Sequence, residues 1–521
     1  MSKNQVFIYD TTLRDGAQRE GLSFTVEDKL KIVKKLDELG IHYIEGGMPA
    51  ANPKEDEFFR KASSLKLKNA KLVAFGSTRY KDTTASKDSG LKTLLKSGVK
   101  TVCILGKSSS VHVRDALKTS LQENLNMIES SIRYLKGHGL EVLFDAEHFF
   151  DGYKANSEYA LKTLEAAQEA GADFLVLCDT NGGSLPYDIR TITAAVHERL
   201  KTPMAIHTHN DCECAVANSI VAVKHGAVQV QGTMNGYGER CGNANLVSII
   251  PTLSLKMGLK TINPKNIRLL TETTHFISEI ANVTPDAHQP YVGQSAFAHK
   301  AGIHASGVSR NEDLYQHINP AEVGNASKVL ISELAGRSNV VIKAKHLGLD
   351  LSKEPRKVAN ILKKIKELEH VGYHFEAADG SFEVLLKKAL DKHKPLFKLE
   401  SFRVLMEKRE GSEVSTEATI KLHCKGRRIL ATAEGNGPVN ALDKALRKAI
   451  GKAYPALTQI DLSDYKVRVL DEKKGTGAVV RVLIESTDGK TSWGTIGVSE
   501  NIIEASWQAL VDSIEYGLNN K

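Results

Sequence analysis

Ala205-Ile206-His207-Thr208-His209-Asn210-Asp211 carries two histidines at positions i and i+2. Side chains alternate along a β-strand, so on a strand both imidazoles face the same side. Two imidazoles on one face make up half of a divalent-cation site. Taken alone, a chance His-x-His with two hydrogen-bonded rings is the more economical account, and the rest of the chain has to decide. A cation with two histidine ligands still needs oxygen donors. Asp10-Thr11-Thr12-Leu13-Arg14-Asp15-Gly16 offers the carboxylate of Asp15. Asn235-Gly236-Tyr237-Gly238-Glu239-Arg240-Cys241-Gly242-Asn243 offers an asparagine amide. Mg2+, Mn2+ and Zn2+ all accept such a mixed set. A cation held this way polarises a carbonyl and stabilises the oxyanion formed on attack. Arg14, beside Asp15, is placed to grip a carboxylate through charged hydrogen bonds. A salt bridge to Glu45 also accounts for it, and both roles can hold together. Glu147 reads equally as a general base or as a surface carboxylate. Cys212 and Cys214 fall where a helix is expected to follow the histidine strand, and are read as helix packing.

The elements that must position these groups follow from apolar periodicity. Short apolar runs at 6–9, 43–45, 71–75, 101–105, 141–144, 174–178, 204–209 and 228–232 read as strands. Amphipathic stretches between them, such as 26–39, 121–135, 157–170 and 187–200, read as helices. Gly40, Gly139, Gly171 and Gly226 follow last helical turns, a C-cap pattern. Eight strand–helix pairs over about 250 residues is the arithmetic of a (β/α)8 barrel; a doubly wound open sheet is the alternative. Catalytic groups of such barrels sit at the C-terminal strand ends. Polar clusters occupy six of those ends here, including Asp145-Ala146-Glu147-His148 and Asp179-Thr180-Asn181-Gly182-Gly183. The closed barrel and a functional rim are therefore expected together.

With 521 residues the chain exceeds what one core serves, and two or three domains are expected. The boundaries are placed at 1–260 for the barrel, 261–395 for mainly helical linker subdomains and 396–521 for a third unit. Residues 387–398, rich in lysine, read as an exposed connection broken at Pro395. From Phe402 onward a βββα pattern occurs twice, with strands at 403–408, 416–423 and 429–433 and then at 466–471, 478–485 and 492–496. Each half ends in a helix, which predicts a pseudo-symmetric α/β module for binding or assembly. The net charge of +8 is spread without a basic stripe interleaved with aromatics, which argues against nucleic-acid binding. No apolar run approaches a membrane span, the N-terminus shows no signal-peptide features, and the six cysteines lack disulfide-framework spacing. A cytoplasmic, reduced protein is expected.

The motifs together resemble a known family. Asp-Thr-Thr-Leu-Arg-Asp-Gly-Ala-Gln, His-Thr-His-Asn-Asp and Gly-Glu-Arg-Cys-Gly-Asn, at these spacings, are similar to those of the Claisen-type acyl-CoA condensing enzymes. These are the 2-isopropylmalate, homocitrate and citramalate synthases. The stretches 110–113, 144–154 and 177–183 resemble the citramalate branch. The resemblance implies a divalent cation (Mn2+, Mg2+ or Zn2+) on Asp15, His207, His209 and Asn243. It implies an α-keto acid held by Arg14 and Thr180, and Glu147 as the base that enolises acetyl-CoA. Phe297-Ala298-His299-Lys300-Ala301-Gly302-Ile303-His304 resembles a segment that covers the partner subunit's barrel mouth. There His304 is the implied acid/base, His299 is the second choice and a substrate contact, and Tyr315 assists. The implied reaction condenses acetyl-CoA with pyruvate and water to citramalate and coenzyme A, and the alternative acceptor is 2-oxoisovalerate. A homodimer and feedback by isoleucine are implied for the C-terminal module, with 475–477 and 497–501 as candidate effector contacts or plain tight turns. A hydroxy-acyl-CoA lyase and an inactive sensor are the competing readings. The long region beyond the barrel argues against the first, and intact Arg14, Asp15, His207 and His209 against the second.

Overall fold

Along each of the first eight strands, alternate residues enter two separate hydrophobic layers. Tyr9, Val73, Phe75, Cys103, Leu143 and Val176 pack together on one side. Their strand neighbours Ile8, Ala74, Val102, Ile104, Val142, Phe144 and Leu175 pack with helices on the other. A strand buried on both faces belongs to a parallel sheet covered by helices. In the computed structural model the sheet closes on itself as β1 (Phe7–Asp10), β2 (Tyr43–Gly47), β3 (Lys71–Ser77), β4 (Thr101–Lys107), β5 (Glu141–Glu147), β6 (Phe174–Asp179), β7 (Met204–Thr208) and β8 (Ala227–Gly232). Every neighbouring pair is parallel, and β8 returns to β1 with Tyr9 opposite Gln231. The open-sheet alternative is thereby excluded. The structure describes residues 4–519 apart from 300–306, 308–310, 312–313, 330–339, 342–343, 346–350, 352–353, 376–377, 412 and 471–476.

Helices begin where capping chemistry supplies it. Thr25 and Asp28 form a reciprocal capping box ahead of the helix Val26–Leu39, and Gly40 ends it in the left-handed conformation at φ 97°. Among the described residues, no helix is long and apolar enough to cross a membrane.

The described residues fall into two compact units, Met1–Phe297 with Ile318–Ala326, and Ala298–His317 with Ser327–Lys521. The second unit contains helices Pro355–His370 and Asp379–Ala389 and two three-stranded antiparallel sheets. It also holds a short parallel pair, β9 (Ala298–His299) with β10 (Lys328–Val329). One sheet is β11 (Lys398–Lys408), β12 (Val414–Cys424) and β13 (Arg427–Gly435), followed by helix Pro438–Ile450. The other is β14 (Asp461–Val469), β15 (Val480–Thr487) and β16 (Ser492–Ser499), followed by helix Ile502–Asn519. This is the doubled βββα pattern.

Two expectations need correction. The lysine-rich 387–398 stretch is not a uniform exposed connection. Lys387 and Lys388 are helical and pair with Glu383 at 2.6 Å and Asp512 at 3.6 Å, while Phe397 is buried. Cys212 and Cys214 lie in the turn before helix Ala215–Lys224 rather than inside it, with Cys212 exposed. The helix starts late because Asn210 Oδ1 accepts the Ala215 amide at 3.2 Å and the Cys212 amide is tied to Gly182. Of the candidate effector contacts, Gly475 and Thr476 lie outside the described residues. Gly497 lies within β16, where a Cβ would meet the Ala505 carbonyl at 1.9 Å.

His42 couples β1 to the segment entering β2. Its Nδ1 accepts the Ile8 amide at 3.0 Å, and burial pulls its imidazolium down to about 4. The neutral ring is thus the folded form, whereas the unfolded chain protonates near its ordinary value of about 6.5. Its contribution is complete above that value and declines as pH falls toward the folded value. Between pH 7.5 and 5 the loss should be about 2 kcal/mol. Denaturant unfolding at both pH values should show His42→Asn closing its stability gap to the parent on acidification. An equal gap at both pH values would refute this coupling.

Candidate active site

The Asp-Thr-Thr-Leu-Arg-Asp stretch folds into a turn in which each polar side chain has a separate task. Asp10, fully buried, accepts from the Thr12 amide at 3.0 Å and hydroxyl at 2.8 Å, and burial raises its acid to about 7. Thr12 Oγ1 in turn accepts the Met234 amide at 2.8 Å, tying this turn to the loop after β8. Thr11 donates to Glu45 Oε1 at 2.6 Å, and Tyr9 donates to Glu45 Oε2 at 2.5 Å. Arg14 Nε reaches the same Glu45 Oε1 at 2.5 Å, and its guanidinium lies 3.9 Å above the Phe75 ring. The Arg14–Glu45 pair anticipated from sequence is therefore formed. It leaves Arg14 at the rim of a cavity of about 290 Å3 at the C-terminal ends of the strands.

Asp15 follows directly. Its Oδ2 lies 3.2 Å from His207 Nε2, 3.7 Å from His209 Nε2 and 2.9 Å from Asn243 Nδ2. The two histidine Nε2 atoms are 3.3 Å apart. β7 ends at Thr208, so His209 lies one residue beyond the strand. It keeps strand-like alternation because it bridges Asn243 in the returning β8 loop. That loop is stitched down by Asn210 N to Gly242 O at 2.8 Å and Ala244 N to Thr208 O at 2.9 Å. Arg240 locks it further, reaching Asp211 at 2.7 Å and the Thr180 carbonyl at 2.8 Å. Gly238 is required here, since a Cβ would sit 1.9 Å from Asn243 Oδ1.

Asp15, His207 and His209, all buried, present ligand atoms within 4.8 Å of one another and form a possible metal-binding triad. The donor chemistry fits a divalent cation: two imidazole nitrogens and a carboxylate oxygen suit Mn2+ or Zn2+. The electrostatics fit as well. Burial would raise the Asp15 carboxyl, but Arg14 and both histidines outweigh it and hold it well below the usual range. His209 is pushed down to about 4 by burial and by the neighbouring His207, so it is neutral and able to ligate. Asn243 Oδ1 and His209 Nδ1 are buried without hydrogen-bond partners among the described residues. Rotating the Asn243 amide would exchange Nδ2 for that orphaned oxygen beside Asp15, giving a fourth donor.

Around the same cavity stand Glu147 and Thr180. Thr180 Oγ1 accepts the His148 amide at 2.9 Å, which leaves its hydroxyl proton available. Glu147 forms an ion pair with Lys107, which lies on β4 two residues beyond the apolar run 101–105 that marks this strand in the sequence. The continuation of that strand through a Gly-Lys pair was the available signal. The remaining expected site residues come from the linker. His299 lies on β9 with its Nε2 3.4 Å from Gln316, Tyr315 is exposed, and both belong to the second unit. His304 lies outside the described residues.

Glu45 is fully buried and carries the charge that compensates Arg14. Removing one member of a buried pair typically costs about 3–5 kcal/mol. Urea unfolding of Glu45→Ala should show a loss of that size, and a variant within about 1 kcal/mol of the parent would mean the pair does not hold the rim.

Comparison with known proteins bears on this geometry. Residues 5–274 match the HMGL-like family, 291–372 the homocitrate synthase post-HMGL domain-like family, and 376–518 the LeuA allosteric (dimerisation) domain. The chain is 55% identical over 516 residues to an (R)-citramalate synthase of Aquifex aeolicus, covering 99% of this chain and 98% of that protein. It is 53% identical to an (R)-citramalate synthase of Geobacter sulfurreducens, again over 99% of this chain and 98% of that protein. A 2-isopropylmalate synthase of Methanocaldococcus jannaschii is 33% identical over 98% of this chain and 94% of its own length. With matches running through barrel, linker and C-terminal module alike, the chain belongs to the (R)-citramalate synthase family of HMGL-like barrels.

Proposed function

We propose that this protein is an (R)-citramalate synthase, a Claisen-type acyltransferase that condenses acetyl-CoA with pyruvate and water to citramalate and coenzyme A. The observation that carries the reading is the single cavity shared by Arg14, Asp15, Glu147, Thr180, His207 and His209. It agrees with relatives of that name at 47–55% identity over nearly the whole chain.

Asp15, His207, His209 and Asn243 would hold a divalent cation, which would supply Lewis-acid polarisation of a keto oxygen. Arg14 lines the cavity with its Nε committed to Glu45 and its Nη1 3.5 Å from Asp15, and its remaining guanidinium N–H groups can take the keto-acid carboxylate. The Thr180 hydroxyl donates a second hydrogen bond to that carboxylate. Because Glu45 and Phe75 hold the guanidinium from two sides, its orientation is set before substrate arrives. Glu147, positioned by Lys107, removes a proton from the acetyl methyl group, and the resulting carbon nucleophile attacks the keto carbon. Water then cleaves the thioester, releasing coenzyme A. His304 with Tyr315, or His299 in place of His304, is our assignment for the acid/base pair that moves protons at the thioester oxygen.

The domain boundaries near 260 and 395 belong to this reading, as do a homodimer and a cytoplasmic location. The C-terminal unit is assigned the binding of isoleucine as feedback effector, supported by its match to an allosteric domain. Such feedback would place the reaction at the start of isoleucine biosynthesis.

Free-thiol release with each keto acid tests the acceptor. Pyruvate should exceed 2-oxoisovalerate in kcat/KM by at least about tenfold, and preference for the branched acid would assign the protein to the 2-isopropylmalate synthases. With pyruvate, Glu147→Gln should lower kcat by about 10²–10⁴ while changing the pyruvate KM little. Unchanged kcat would remove Glu147 from the chemistry.

A further inference from the structure

Among the described residues, one of the two histidines in the triad has a hydrogen-bond partner on its second ring nitrogen and the other has none. His207 Nδ1 lies 2.9 Å from Gln231 Oε1, whereas His209 Nδ1 is buried without a partner. Gln231 sits on β8 opposite His207 in the sheet register and is fully buried. On its other side, Gln231 Nε2 faces Asp145 Oδ1 at 3.5 Å. Asp145, on β5, also accepts from the Cys103 thiol at 3.0 Å. Asp145 also lines the cavity, and the reaction above assigns no role to Asp145, Gln231 or Cys103.

An amide has one donor end and one acceptor end, and a carboxylate only accepts. Asp145 therefore fixes which way the Gln231 amide points: nitrogen toward the carboxylate, oxygen toward His207. An oxygen facing Nδ1 requires Nδ1 to carry the proton. In the neutral ring the lone pair of His207 is then left on Nε2, the atom that faces Asp15, His209 and Asn243. Histidines that ligate cations are commonly oriented through their second nitrogen in this way. We infer that Asp145 and Gln231 are positioning residues that set the tautomer and ring orientation of His207 for cation binding, acting in series across the barrel interior from β5 to β8 to β7. A leucine at 231 would fill similar volume and leave the ring free to rotate or exchange tautomers. A glutamate at 231 could still accept from Nδ1, but it would set a second carboxylate against Asp145.

The inference rests on the metal site proposed above, so the experiment separates the two. Mn2+ affinity of the purified full-length protein is measured by chelator competition, with thermal melts of every variant alongside. His209→Ala should lose Mn2+ binding, and retention of parental affinity would overturn the site and the relay with it. Given that loss, Gln231→Leu should bind Mn2+ about 10–100-fold more weakly. Gln231→Glu and Asp145→Asn should each weaken binding. The double variant Asp145→Asn/Gln231→Glu should recover to within severalfold of the parent, because the introduced amide donates to the introduced carboxylate and that carboxylate still accepts from Nδ1. Gln231→Leu within twofold of the parent, or a double variant no better than its two single variants, would overturn the relay while leaving the metal site intact. A merely structural role would lower melting temperatures without this pattern of loss and recovery in affinity.

Discussion

Glu45, Arg14 and Asp15 are ionised groups removed from water at one edge of the barrel, and the surrounding structure is arranged to keep them compensated. Burying a single unpaired charge is prohibitive, and burying a pair is tolerable only when the remaining lone pairs and protons are also satisfied. Glu45 achieves this with Tyr9, Thr11 and Arg14. Arg14 achieves it with Glu45, Asp15 and the Phe75 face. The formal charges of Glu45 and Asp15 together exceed that of Arg14, which leaves an excess of negative potential where the two histidines converge. A cation there would complete the balance.

That constraint explains why the loops around the rim are tied down so heavily. The turn after β1 is bonded to the segment after β8 through Thr12 and Met234, and the loop after β8 is bonded to the end of β7 through Asn210 and Gly242. Arg240 then links this loop to Asp211 and to the loop after β6. Loose loops would let water in and weaken every electrostatic contact below them. Residues that look catalytic by type, such as Asp10 and Asp179, turn out to hold these turns: Asp179 accepts from the Ser184 amide and hydroxyl at 3.2 and 2.9 Å.

Much of this was legible in the chain. Strand alternation is a direct consequence of burying both faces, so eight short apolar runs could be counted, and with helices between them the barrel followed. The Arg14–Glu45 pair and the convergence of Asp15, His207 and His209 were readable because catalytic rims of such barrels lie at strand ends. Lys107 and Gln231 were not. Lys107 lay past the point where apolar periodicity stopped, and Gln231 looked like one more strand residue whose interior orientation has no sequence mark. The turn position of Cys212 and Cys214 was equally hidden, since it depends on the Asn210 side chain bonding the Ala215 amide.

What the sequence determined by itself was therefore the set of elements and the chemical types at their ends, because period-two alternation, glycine C-caps and polar strand ends are local properties. The family followed from the same local motifs. Only the tertiary structure decided which polar groups compensate one another. The partners are far apart in the chain, as with Asp15 and Asn243 or Asp145 and Gln231. Closing the barrel brings β8 back against β1 and β7, and that closure turns scattered polar residues into one site.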